Sequence, residues 1–162
     1  MVLVFLFLLP APLRILYGDL RQDLVEHIGQ AKSSIDLVVY EIRSNDIADA
    51  LIEAKRRAVR VRVIVDNVHS PSATPQEKML EEEGIAIKRI GGISRDLLHD
   101  KFILFDGSSA STPSYNRSAK SLSGDGKREN AFTEDKAMIG RLKNQFDKVW
   151  NHAHTSDQLE NE

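Results

Sequence analysis

The residues of this chain best equipped for chemistry lie in 99–107, His-Asp-Lys-Phe-Ile-Leu-Phe-Asp-Gly. Phe102, Ile103, Leu104 and Phe105 form an apolar run closed by an Asp106-Gly107 turn signal, the pattern of a buried strand. Alternate residues of a strand share a face, so His99 and Lys101 point the same way. An imidazole can attack phosphorus, and an ammonium beside it can hold the anionic oxygens of a phosphoryl group while charge builds. A His-x-Lys-x-x-x-x-Asp match arises by chance in about one chain in a hundred of this length. The nonapeptide therefore needs support from elsewhere in the sequence.

Downstream, Ser114, Asn116 and Glu129 supply a hydroxyl, an amide and a carboxylate. With His99, Lys101 and Asp106 they resemble the signature of the phospholipase D superfamily: His-x-Lys-x-x-x-x-Asp, a short spacer, Gly-Ser-x-Asn, then Glu-Asn. The matching residues are Ser114-Tyr115-Asn116 and Glu129-Asn130. The resemblance runs from Ile15-Leu16-Tyr17 through Ser34-Ile35-Asp36 and Tyr40 to Phe146-x-x-x-Trp150, and most specifically the chain looks like the small bacterial endonucleases carrying one motif per chain. Two departures stand out. Pro113 occupies the place of the family's Gly, after a Ser-Ser-Ala-Ser-Thr segment (108–112) that replaces a usually apolar strand. Proline removes an amide donor and forbids backbone angles open to glycine. Ser123-Gly124-Asp125-Gly126 also lengthens the loop before Glu129, which loops tolerate.

The resemblance implies a division of labour. His99 is the nucleophile and forms a phosphohistidine; Lys101 and Asn116 hold the phosphate oxygens; Ser114 and Glu129 orient or polarise the imidazoles. Asp106 belongs to the catalytic signature but sits at the far end of the strand, where a structural role is expected. Arg117 and Lys120, with Lys127 and Arg128, flank these residues and are candidates for contacts to substrate phosphates. One ring cannot be nucleophile and general acid in the same step. Because the motif occurs once, the resemblance implies a homodimer with the active site at its two-fold interface, the second His99 protonating the leaving oxygen and then activating water. The mechanism calls for no metal and no cofactor.

The phosphate-binding residues read the diester itself, which nucleic acids and phospholipids share. Small size and a single motif favour a non-specific endonuclease cleaving DNA or RNA, since backbone contacts carry no sequence information. The alternatives are a phospholipase D-type phospholipid hydrolase and a catalytically weakened nucleic-acid-binding module, to which Pro113 points.

Composition sets the frame for positioning these residues. The 162 residues, 41% hydrophobic and 28% charged, suffice for one globular domain with a real core. Without cysteine there is no disulfide and no thiolate metal site. A formal net charge of -2 gives no global attraction to nucleic acid, so such binding must be local. Lys55, Arg56, Arg57, Arg60 and Arg62 read as a solvated helix C-terminus complementing the helix dipole, together with the next strand. His152-x-His154 offers too few ligands for a metal, and His99-Asp100 has no second His-Asp pair to make a metal phosphohydrolase. His27 and His69 read as structural or exposed.

Strand patterns fall at 13–17, 34–42, 59–66, 85–90 and 102–105. Helical patterns open at Gly18-Asp19, with Leu20, Leu24, Val25, Ile28 and Ala31 on one face, and near Asn45-Asp46, with Ile47, Ala50, Leu51 and Ala54. A short helix is expected over 76–83 after a Ser/Pro-rich loop at 68–75, and a final helix over 135–152 with Met138, Leu142, Phe146, Val149 and Trp150 as its stripe. The alternation implies an α/β fold, a phospholipase D-like mixed β-sheet sandwiched between helices in a single domain over 13–152. Residues 153–162 form an acidic tail. Residues 2–9 are an unbroken apolar run, too short to span a bilayer as a helix. Three readings compete for 1–12: a secretory signal with its start clipped, which is preferred, a membrane-proximal anchor, or an added strand. The first two place the protein outside the cytoplasm or at a membrane; otherwise it is cytoplasmic.

Overall fold

The computed structural model describes residues 14–18, 20–66, 72–90, 101–113 and 128–152. In chain order these form β1 (Arg14–Gly18), α1 (Leu20–Gln30), β2 (Ser34–Val39), α2 (Asn45–Arg56), β3 (Arg60–Asp66), α3 (Pro75–Glu82), β4 (Ala86–Ile90), β5 (Phe102–Phe105), β6 (Ser109–Pro113), β7 (Arg128–Thr133) and α4 (Lys136–His152). The strands make one seven-stranded mixed sheet in the order β1-β7-β6-β5-β2-β3-β4. β2, β3 and β4 are parallel, joined through α2 and α3, while β5 runs antiparallel to β2 and opens an antiparallel half with β6, β7 and β1.

Strand alternation sends side chains into two cores. Ile103 and Phe105 of β5 join Ile35, Leu37, Val39, Val61, Val63 and Val65 beneath α1, α2 and α3. Phe102 and Leu104 face the other way, meeting Val38, Ile64 and Ala110 and the stripe Ile139, Leu142, Phe146 and Val149 of α4. All four residues of β5 are buried. A strand covered on both faces is apolar without interruption, which is the Phe-Ile-Leu-Phe run seen in sequence.

The expected α/β sandwich is the observed fold, with instructive differences at element ends. β2 stops at Val39 rather than reaching 42, because the Ile42 amide donates to Glu77 Oε1 at 3.0 Å and its carbonyl accepts from Thr74 Oγ1 at 2.6 Å. Both Ile42 backbone groups are thus taken by side chains instead of a strand. α3 begins at Pro75, since proline fits the first helical turn, where an amide would be orphaned anyway. β6 and β7 were not anticipated. The Ser-rich segment lacks a strand's apolar pattern, but β5 and β7 on its two sides supply backbone partners, and Ala110 fills a position beneath α4. Pro113 ends β6 opposite Asn130, at the strand terminus where a missing amide is tolerated. α4 is capped by Asp135, whose carboxylate accepts from the Met138 amide at 2.7 Å. The expectations for residues 1–12 and for the tail 153–162 lie outside the described residues.

Two helix-to-strand corners repeat one geometry. After α2, Ala58 N donates to Lys55 O and Val59 N to Ala54 O; after α3, Gly84 N donates to Glu81 O and Ile85 N to Leu80 O. Both are Schellman closures with a left-handed residue, Gly84 at φ 75° and Ala58 at φ 66°. Ala58 is exposed, so its Cβ strains the backbone without packing in return. We expect Ala58→Gly to raise stability and Gly84→Ala to lower it, each by about 1 kcal/mol, measured by urea denaturation.

Candidate active site

Asp106 and Gly107 have positive φ, 55° and 64°, and Ser108 N donates to Phe105 O at 3.0 Å. This is the arrangement of a type I′ turn, which favours Asp-Gly. The turn aims the Asp106 carboxylate at the start of β2. Oδ1 accepts from the Ser33 amide at 2.7 Å, the Ser33 hydroxyl at 2.9 Å and the Ser34 amide at 3.0 Å, and both oxygens lie 3.1 Å from the Lys32 amide. The Asp106 amide donates back to Ser34 O at 2.8 Å. Partial burial pushes this carboxyl's pKa up, but the donors from Ser34, Ser33 and Lys32 outweigh it and hold the group below its ordinary value. Asp106 is thus a clamp between β5 and β2, as its place at the far end of the strand implied.

The opposite end of β5 is differently equipped. Phe102 pairs with Val38, so Lys101, just before β5, opens beside Tyr40, just after β2. Both are half-buried, and the Lys101 ammonium lies over the face of the Tyr40 ring. This is the carboxyl end of the parallel strands, where α/β sheets collect ligands. Behind it stands a buried ionic group. Glu77 accepts from the Ile42 amide, from the Thr74 amide at 3.3 Å and from Arg89 at 3.1 Å, and Arg89 also reaches Glu81 at 2.8 Å. The sequence reading missed this group, although Thr74-Pro75-Gln76-Glu77 carries the spacing of a capping box.

Of the residues expected at the site, His99, Ser114, Asn116, Arg117 and Lys120 lie outside the described residues, as do Lys127 and His69. Glu129 belongs to β7, where it pairs with Tyr17 of β1. The basic group following α2 is only partly a solvated helix end. Arg62 is 17% exposed, lies bidentate on Asp36 at 2.7 and 2.8 Å and reaches Asp147 at 3.1 Å. Its guanidinium also lies over Phe146 and Trp150, fastening α4 to the sheet. His27 is structural, stacked on Phe132 with its Nδ1 2.8 Å from the Asp23 carbonyl.

Residues 24–150 match the family model described as cardiolipin synthase, PLD-like domain. The chain belongs to this phospholipase D-like family. It is 31% identical over 127 residues to the mitochondrial cardiolipin hydrolase of Xenopus laevis, covering 78% of this chain and 59% of that protein. With the mitochondrial cardiolipin hydrolase of Chlamydomonas reinhardtii it shares 26% over 126 residues, 78% of this chain and 55% of that protein. The phospholipase D-like chain thus spans somewhat more than half the length of these curated relatives. Among solved structures, Nuc of Salmonella typhimurium, a phospholipase D family member, superimposes with a TM-score of 0.72 at 20% identity, covering 89% of this chain and 97% of that one. NucT from Helicobacter pylori gives 0.71 at 17% identity, with 89% and 99% covered. At these identities the likeness is one of fold.

The Asp106 clamp makes a pH-dependent prediction. A carboxyl whose folded pKa is depressed contributes stability above its unfolded pKa, about 3.9, and loses it as pH falls through the folded value. Asp106→Asn should therefore cost about 1–3 kcal/mol at pH 7, and the gap from the parent should close below about pH 4. Equal denaturation midpoints at pH 7 would contradict the clamp.

Proposed function

We propose that this chain is a metal-independent phosphodiester hydrolase, a non-specific endonuclease cleaving DNA or RNA through a phosphohistidine at His99. The observation that carries the reading is the division of β5 between its two ends. Asp106 is consumed in holding β2, while Lys101 stands at the carboxyl end of the parallel strands, two residues from His99 along the chain. A cation there can neutralise diester oxygens as charge builds on them.

In the proposed reaction His99 attacks phosphorus, and the bond to the leaving oxygen breaks as that oxygen takes a proton from the partner subunit's His99. The same partner imidazole then removes a proton from water, which displaces His99 and releases the phosphate monoester. Lys101 and Asn116 hold the non-bridging oxygens throughout, and Ser114 and Glu129 orient the two imidazoles. Arg117 and Lys120 extend the contact along the substrate's phosphates. This requires a homodimer, because each chain supplies one histidine of the pair.

A phospholipid substrate is the second reading. Two observations favour it: curated relatives bear the name cardiolipin hydrolase, and residues 2–9 are an apolar run suited to a lipid surface or an export signal. Among the described residues no helix is long and apolar enough to cross a membrane. Both readings use the same residues and differ in what the diester is attached to.

The decisive test is trapping acid-labile phosphate on His99, with turnover assayed on single- and double-stranded DNA, RNA and cardiolipin vesicles in the presence of chelator. His99→Ala should lower turnover by at least about a thousandfold. Activity should persist with chelator and follow the dimer in sedimentation. Cleavage abolished by chelator, an active monomer, or an active His99→Ala protein would each defeat the mechanism. Vesicle hydrolysis without nucleic-acid cleavage would select the phospholipid reading.

A further inference from the structure

We infer that Tyr40 is a positioning residue for Lys101, the face of its ring holding the ammonium at the carboxyl end of β2 before substrate arrives. The inference rests on the reading of Lys101 as a phosphate ligand and adds what sets that ligand's geometry. The ammonium lies over the Tyr40 ring, and both side chains are half-buried. Partial desolvation strengthens a cation–π contact. A lysine side chain carries large rotamer freedom. A ring that restrains it in the free protein removes that ordering cost from substrate binding.

A positioning residue must itself be fixed, and Tyr40 is fixed from both sides. Val39 precedes it as the last residue of β2, paired with Val65 of β3. Two residues after it, Ile42 is held at its amide by Glu77 and at its carbonyl by Thr74, and Glu77 is locked by Arg89. The segment between sheet and clamp is two residues long, Tyr40 and Glu41. Glu41 is engaged by Arg43 Nε at 2.6 Å. A physical line therefore runs from the buried Glu77–Arg89 pair through the Ile42 backbone to the Tyr40 ring and the Lys101 ammonium.

The test pairs an NMR signature with kinetics. The Lys101 13Cε–1Hε resonance, assigned by its loss in Lys101→Arg, should be shifted upfield by the ring current in the parent and in Tyr40→Phe. In Tyr40→Leu it should return to the position of an exposed lysine. On a chromogenic aryl phosphodiester, Tyr40→Leu should raise KM about tenfold with a smaller change in kcat, while Tyr40→Phe stays near the parent. An unshifted parent resonance overturns the inference, and this measurement stands even if Tyr40→Leu fails to fold. Equal KM for the Leu and Phe variants also overturns it. If the parent shows the shifted resonance but hydrolyses no diester, the hydrolase reading fails separately. Titration with inorganic phosphate then decides the positioning role, and equal affinity of the parent and Tyr40→Leu overturns it.

Discussion

The Asp106 carboxylate, bound to the first residues of β2, is the constraint on which the site's geometry depends. β5 is Phe-Ile-Leu-Phe and is buried on both faces, so hydrophobicity alone sets its register weakly. A slip of one residue would exchange the faces of all four side chains yet leave each in an apolar environment. The Asp106 donors belong to Lys32, Ser33 and Ser34 and are directional, so they select one register. In that register Phe102 and Leu104 meet α4 while Ile103 and Phe105 lie beneath α1 to α3. Lys101 is continuous with the strand, so the same polar contact at one end decides where the cation emerges at the other.

A second polar group acts on the opposite strand of the pair. Burying Glu77 and Arg89 carries a desolvation cost that a close ion pair offsets only with good geometry and further hydrogen bonds. Here the carboxylate has Arg89, the Ile42 amide and the Thr74 amide, and Arg89 has Glu81 as well. Apolar residues of similar volume could fill this space, but they could not grip both backbone groups of Ile42 together with Thr74. The group thus acts chiefly on the path of the chain as it leaves β2. Asp106 and Glu77 are carboxylates used as backbone clamps at the two ends of the β2–β5 pair, and Lys101 emerges at the end that Glu77 holds.

Much of this architecture was legible in the sequence, and the exceptions share a cause. Where apolar spacing was strong, as along α2, β3 and α4, the elements fell within a few residues of their expected places. β6 was missed because Ser109 and Ser111 carry no such pattern; its conformation is dictated by β5 and β7 on either side. Arg62 was grouped with surface cations because its neighbours in sequence are basic. Its partners Asp36 and Asp147 come from β2 and α4, and only tertiary structure brings those together. The places of Lys101 and Asp106 at the two ends of β5 were legible because the apolar run between them marks the strand. The parts of Tyr40 and Glu77 were not, since each acts on residues distant in sequence.

The fate of the basic residues also bears on how an acidic chain could attract a polyanion. Arg56 is paired with Glu53 and Glu83, Arg60 lies 3.6 Å from Asp36, and Arg62 is committed to Asp36 and Asp147. These cations serve the fold, and their fields are largely cancelled at close range. In the proposed site the attraction would come from charges preceding and following β5, Lys101, Arg117 and Lys120. Such an arrangement suits a diester hydrolase with net charge -2. A field focused in one cleft draws phosphate to the reacting groups, whereas a uniformly basic surface would hold it everywhere. In the proposed dimer the two-fold axis would bring two copies of that local field together. The symmetry that supplies the second histidine would then supply the second half of the electrostatic trap.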